Sequence, residues 1–285
     1  MLKTNSGYLP IQSVQGKIYH PVLGCPYIAG RDGSARILTT SGGIVYNVKL
    51  GDNCMKWAAD HLEPGVSLKN DTKEENEALN LFACIGNEAS AVSGEAKGAK
   101  GFVTGKHGGI DHVLVYFPHN DLLKMAVEDS VLIKAVGQGL AIDGFPDVLC
   151  CNVAPDLLIK LGIEEKNGLL EIPVAFEIPP ELTGSGIGSI TSFSGDFDIT
   201  TGDRQAVESL NLQELRFGDI VLVRDLDSSY GHEYVKGAVT IGVVVHGDSV
   251  GLGHGPGVTA ILTCKRGKIK GRLTQDANIA RYLID

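Results

Sequence analysis

The chain has 285 residues, 43% of them hydrophobic and 21% charged. That composition supports a sizeable core and argues against disorder, and the length suits two domains or one large β-rich one. Its 34 acidic residues against 25 basic give a net charge of −9, which repels phosphate backbones and sets nucleic acid aside as a partner.

The N-terminus, Met1-Leu2-Lys3-Thr4-Asn5-Ser6, lacks the apolar stretch of a secretory signal. Short strands are then predicted at 18–23, 35–40 and 44–48, with Ser41-Gly42-Gly43 turning the last two into a hairpin. Asp60-His61-Leu62-Glu63 leads into the turn signal Pro64-Gly65. Asp71 and Glu74 resemble a capping box, and Ala78, Leu81, Phe82 and Ile85 continue it at helical spacing toward Gly86. Strands follow at 102–103, 113–117 and 131–136, with a short helix near 121–127. Pro155 opens a helix that Gly162 closes. The polar, glycine-bounded stretch 162–168 marks a boundary between an N-terminal domain, 1–165, and a C-terminal one, 166–285.

The second half reads as a strand at 169–178, a GxGxG loop at 184–188 and a helix capped by Asp203. Strands at 215–223, 238–246, 258–264 and 268–273 complete it. The basic cluster Lys265, Arg266, Lys268, Lys270 and Arg272 reads as a solvated edge strand. The fold class is mainly β (α+β), with a barrel- or sandwich-like C-terminal part. No run approaches the ~18 apolar residues that span a bilayer, so no membrane contact is expected. The six cysteines show no CxxC spacing and read as reduced and buried, which implies a cytoplasmic protein. A homo-oligomer is expected.

Two glycine-and-histidine turns carry the chemistry. The first contains Gly105-Lys106-His107-Gly108-Gly109 and ends in Asp111-His112. Its glycines let a ligand approach the backbone, Lys106 offers a counter-charge, and His107 and His112 can converge on one metal or carbonyl. The second runs from a near-continuous apolar strand into His246 and Asp248, then through His254-Gly255-Pro256-Gly257. Polar residues at a buried strand's end are where a rigid scaffold holds a site. Imidazole and carboxylate together suit zinc, iron or manganese, so His246, Asp248, His254, His107 and His112 are the candidate ligands of a divalent metal. His254, Asp248 and Lys106 are the candidate catalytic groups. Gly105, Lys106, His107, Gly108, Gly109, Gly255 and Gly257 are the candidate ligand-binding positions. The acidic loop Gly195-Asp196-Phe197-Asp198 offers oxygen ligands of the kind calcium takes.

The stretches Gly86-Asn87-Glu88-Ala89, Ser93-Gly94-Glu95-Ala96-Lys97-Gly98-Ala99-Lys100-Gly101 and Thr104 to Gly109 resemble a family of bacterial and archaeal proteins catalogued as a domain of unknown function. So do Gly184 to Gly188, Phe217-Gly218-Asp219, Gly237 to His246 and Gly253 to Val258. The resemblance covers nearly the whole chain, in an N-terminal and a C-terminal part, and implies no activity. A fainter one links Gly237-Ala238, His246-Gly247-Asp248 and Gly253 to Val258 to the acetamidase/formamidase family, with the histidine and aspartate in altered order.

Three readings follow from these residues. One is a metal-assisted hydrolase of a small amide or related carbonyl compound. A second is a non-catalytic protein binding a small molecule or anion in a backbone nest beside Lys106. The third is a structural oligomer subunit. Ligand pockets favour domain interfaces, so the two turns are expected to line one pocket.

Overall fold

The structure is a computed structural model and describes residues 2–184 and 191–284. The N-terminal strands are Gln12–Ile18 (β1), Ile28–Ala29 (β2), Ala35–Arg36 (β3), Ile44–Val45 (β4), Gly65–Lys69 (β5), Glu88–Ala91 (β6), Lys100–His107 (β7), His112–Tyr116 (β8) and Ser130–Ala135 (β9). Six of them close a barrel. The order runs β1-β9-β6-β7-β8-β5, and β5 returns to β1 through Lys17↔Lys69 and Ile18↔Leu68. Closure removes the sheet edges, and a barrel this small is filled by its own side chains. Ile18, Val66, Leu68, Val103, Val113, Val131 and Ile133 form that filling. Helix α1 (Lys73–Phe82) adds Leu79, for which Gly16 makes room: a Cβ there would lie 2.7 Å from Leu79 Cδ2.

The remaining strands are Leu149–Cys150 (β10), Glu164–Lys166 (β11), Leu169–Val174 (β12), Phe176–Ile178 (β13), Phe197–Asp198 (β14), Ile220–Asp227 (β15), Glu233–His246 (β16), Gly257–Cys264 (β17) and Ile269–Leu273 (β18). A mixed sheet runs β10-β17-β16-β15-β13 with β14 added on β17, and a smaller one runs β11-β12-β18. The large sheet is buried on both faces, which is why 238–246 reads as nearly unbroken apolar sequence. Ile241, Val243 and Val245 share a core with Leu170, Ile172 and Ile269 of the small sheet. Val244 and Val258 face the other way, onto Leu62, Phe197 and Phe217. The strand-rich class expected from the sequence is therefore observed, and the closed barrel lies in the N-terminal half. No helix among the described residues is long and apolar enough to cross a membrane.

The two halves are in contact. Gly105 of β7 sits against Val245 of β16, where a Cβ would approach Val245 Cγ1 to 2.1 Å. The Lys106 amide donates to Thr259 Oγ1 at 3.1 Å, and that hydroxyl returns a bond to the Lys106 carbonyl at 3.0 Å. β7 thereby brings the first histidine turn onto the end of the large sheet.

Several local expectations are corrected. The hairpin read at 35–48 does not form: β3 pairs back to β2, and β4 pairs with β5. The Ser41-Gly42-Gly43 turn instead delivers the Gly42 N–H to the buried Glu63 carboxylate at 2.7 Å. The strand read at 169–178 breaks at Ala175 into β12 and β13, which belong to different sheets. The helix read near 121–127 is α2, His119–Leu122. Of the GxGxG loop, only Gly184 falls within the described residues.

Candidate metal centre

Register builds the centre. In the large sheet β14 pairs with β17 and β17 with β16, so Asp198 lies opposite Gly257, and Gly257 opposite His246. The aspartate and the histidine thus flank one glycine. A Cβ on Gly257 would sit 2.1 Å from His246 Nε2 and 2.2 Å from Asp196 Oδ2, so only glycine leaves the space in which these groups meet. Alternation along the strand puts Asp196 on the same side as Asp198, two residues on.

The barrel supplies the facing wall. His107 ends β7 and His112 opens β8, and they are cross-strand partners. Glu63 lies between them: His107 Nδ1 is 2.6 Å from Oε1, and His112 Nδ1 is 3.1 Å from Oε2. Glu63 Oε2 also accepts from Ser67 Oγ at 2.5 Å and from the Gly42 amide. Burial opposes charge on Glu63, yet His112 and His107 hold its carboxyl well below the usual carboxylate range.

His61 stands at the middle. Its ring lies 5.0 Å from those of His246 and His254 and 5.6 Å from that of His107, centroid to centroid. The two glycine-histidine turns therefore do meet: His107 stacks on His246 with centroids 4.2 Å apart, and His61, a residue of neither turn, packs against both. The His61 backbone takes φ +49°, a left-handed conformation costing a non-glycine residue on the order of 1–3 kcal/mol. Its amide is held by the Asp248 carbonyl at 3.1 Å. Strain of this kind persists where surrounding contacts over-determine it, and it gathers at functional sites.

Three imidazoles are tied through Nδ1, which turns Nε2 toward the centre of the cluster; that of His61 lies 3.2 Å from His254 Nδ1. His61 Nδ1 is 2.8 Å from Asp60 Oδ2, and Asp60 Oδ1 in turn accepts from Ser249 Oγ at 2.8 Å and from the Val250 amide. His246 Nδ1 lies 3.0 Å from the Gly247 carbonyl. The Gly257 amide also approaches it at 3.3 Å, but the shorter contact makes Nδ1 the donor. His107 is tied to Glu63 as above. Second-sphere acceptors of this sort fix tautomer and ring orientation in metal sites. Among the described residues, His61, Asp198 and His246 offer ligand atoms that all lie within 4.8 Å of one another.

Burial opposes charge on Asp198, but His246, His254 and His61 hold its carboxyl far below the usual range. Burial pushes the His246 imidazole down, and Asp196 and Asp198 more than reverse that, raising it well above 6.5. His61 is likewise raised, its desolvation outweighed by Asp198 and Asp60. Desolvation and the His246 charge push His107 down, toward the neutral imidazole. The side chains of His254 (41% exposed) and His61 (18%) form the open edge; those of His246 and Glu63 are enclosed.

Other residues singled out in the sequence have different surroundings. The Asp248 carboxylate accepts from Thr201 Oγ1 at 2.6 Å and from the Ser249 amide, so it is not offered to the imidazoles. Lys106 is fully buried on the opposite face of β7, because adjacent strand residues point to opposite sides. Its Nζ lies 2.6 Å from both Asn152 Oδ1 and the Phe193 carbonyl, and it offers no counter-charge to a ligand in the cluster. His112 acts through Glu63. Gly105 and Gly255 are packing positions: a Cβ on Gly255 would lie 1.9 Å from the Ile199 carbonyl oxygen. The Gly108 amide donates to Asp196 Oδ1 at 2.7 Å, while Gly109 has open space around its Cα.

A closed six-stranded barrel docked on a mixed sheet, with five histidines and four carboxylates gathered at the seam, defines the class as a β-rich protein with a buried histidine–carboxylate cluster. The chain belongs to the DUF4438 family: it matches "Domain of unknown function (DUF4438), N-terminal" over residues 27–159 and the corresponding C-terminal domain over 160–283. It is 48% identical to a solved structure described as "Crystal structure of TM1086", covering 99% of both chains with a TM-score of 0.95. No curated protein matches it. The acetamidase likeness of the C-terminal stretch has no counterpart in these matches.

Proposed function

We propose that the cluster is a divalent-metal centre and that the protein is a metal-assisted hydrolase of a small amide or related carbonyl compound. The observation that carries this reading is the convergence of His61, Asp198 and His246 within 4.8 Å, with both imidazoles already oriented through Nδ1. Nitrogen and carboxylate oxygen together suit zinc, iron or manganese. A bound cation of this kind polarises a carbonyl and brings the pKa of a coordinated water down to about 7.

This chain's own residues supply the rest. His107 keeps its proton on Nδ1 toward Glu63, so Nε2 carries the lone pair that accepts a proton from the attacking water. His254, on the open edge and 2.7 Å from Asp198 through Nδ1, meets the incoming substrate first. An anion-binding role finds less support, because the cation it relied on, Lys106, is enclosed elsewhere.

The test is ammonia release from a panel of small amides by metal-reconstituted protein, with and without a chelator. Hydrolysis lost on chelation, restored by zinc or manganese and absent in His246→Ala is the expected result. Stoichiometric metal uptake with no hydrolysis of any amide or ester would leave the metal centre and remove the hydrolase.

A further inference from the structure

Resting on the metal reading above, we infer that the centre holds two divalent cations, with the Asp198 carboxylate bridging them. The two oxygens of Asp198 face two different donor sets. Oδ2 lies 2.7 Å from His254 Nδ1 and 3.7 Å from His61 Nε2, and those two nitrogens are 3.2 Å apart. Oδ1 lies 3.4 Å from His246 Nε2, which is itself 2.9 Å from Asp196 Oδ2. Donors around a tetrahedral ion with bonds of about 2.0 Å stand about 3.3 Å apart. The outer distances, 2.7, 3.2 and 3.7 Å, scatter about that value, and the inner ones, 2.9 and 3.4 Å, lie near it. A carboxylate spanning two ions holds them at the roughly 3.5–4 Å typical of two-metal hydrolytic sites.

A second observation concerns the enclosed set. His246 Nε2 and Asp196 Oδ2 are close, yet neither makes a hydrogen bond of acceptable geometry to any group. Buried polar atoms left in that state are costly in a native fold. Atoms that converge on a common point rather than on each other are what the ligands of an ion look like. The remaining atoms of both residues are committed elsewhere, Asp196 Oδ1 to the Gly108 amide and His246 Nδ1 to the Gly247 carbonyl, so the free pair is aimed by the fold.

Charge points the same way. Asp60, Glu63, Asp196 and Asp198 are all at least nine-tenths buried and surround the histidines. Once metal has displaced their protons the imidazoles are neutral, and the four carboxylate charges then need the bound cations to offset them. Arg31, which reaches the His254 carbonyl at 3.4 Å, is committed to Thr201 Oγ1 and the Ser249 carbonyl. Two dications balance four carboxylates, whereas one leaves two negative charges buried.

The experiment loads chelator-stripped full-length protein with manganese, counts bound ions per chain by elemental analysis after gel filtration, and records the electron paramagnetic resonance spectrum. The wild type is expected to bind two ions per chain with an exchange-coupled spectrum. His254→Ala, altering a residue at the open edge, is expected to keep one ion with an uncoupled spectrum, circular dichroism confirming the fold. One uncoupled ion in the wild type overturns the pair and leaves the single-metal reading standing; no ion overturns both. Two ions retained in His254→Ala refute the assignment of the outer set.

Discussion

Lys106 and His107 are consecutive on β7 and both buried, yet they face unlike surroundings. On the lysine side the polar groups answer one another: Nζ has two acceptors, and the Asn152 amide donates to the Ser192 and Ala260 carbonyls. On the histidine side, His246 Nε2 and Asp196 Oδ2 are buried without a hydrogen bond, and four carboxylates crowd around the imidazoles. A closed polar network is how a fold tolerates a buried charge. An open one of matching donor spacing is how a fold reserves space for a cation. The contrast sets a closed polar network beside an open one within a single step of the chain.

Three substitutions sharpen that contrast. The largest effect belongs to Asp198→Asn, which removes the carboxylate common to both donor sets. Stoichiometric metal retention through dialysis should be abolished, and retention at wild-type level would place the ion elsewhere. Asp60→Asn acts one shell out, through His61 Nδ1. It should weaken metal affinity about 10- to 100-fold, the usual cost of losing a second-sphere partner, as read by competition with a chromophoric chelator. An unchanged affinity would show that His61 is not a ligand.

Lys106→Met should do the converse. It leaves metal uptake unchanged and lowers stability in urea by about 1–3 kcal/mol, since Asn152 Oδ1 and the Phe193 carbonyl lose their donor. A pH signature accompanies it. Burial pushes the Lys106 ammonium down to about 8, from 10.5 in the unfolded chain. Between those values the unfolded chain holds a proton the folded one has released. Wild-type stability relative to the variant should therefore rise from about pH 8 to about pH 10.5 and be flat below pH 8. A difference that stays flat to about pH 10.5 and falls above it would mean that Lys106 has an anionic partner.

The legibility of the sequence follows from the same alternation. The strands at 238–246 and 258–264 are plain because both faces are buried, and His246 stands out as the polar residue ending the run. In sequence, Lys106 and His107 read as one functional turn, but neighbours on a strand point to opposite sides. Asp248 looked like a ligand by proximity to His246, but its carboxylate turns to Thr201. His61 and Glu63 carry no local signal, since the stretch before Pro64 has no periodicity and its role comes from contacts with residues 44 and more positions away. Asp196-Phe197-Asp198 did carry one: acid, aromatic, acid is the alternation of a strand with both acids on one face. It named oxygen ligands without the histidines that β16 and β17 bring beside them.

The central claim is that the histidine–carboxylate cluster binds metal, and anomalous diffraction tests it most directly. Crystals equilibrated with zinc, with data collected on both sides of its absorption edge, should show an anomalous peak about 2.0–2.2 Å from His61 Nε2, from His246 Nε2 or from both, and within the same distance of an Asp198 oxygen. A cluster free of anomalous density at saturating zinc, its imidazoles and carboxylates hydrogen-bonded directly to one another, would contradict the account.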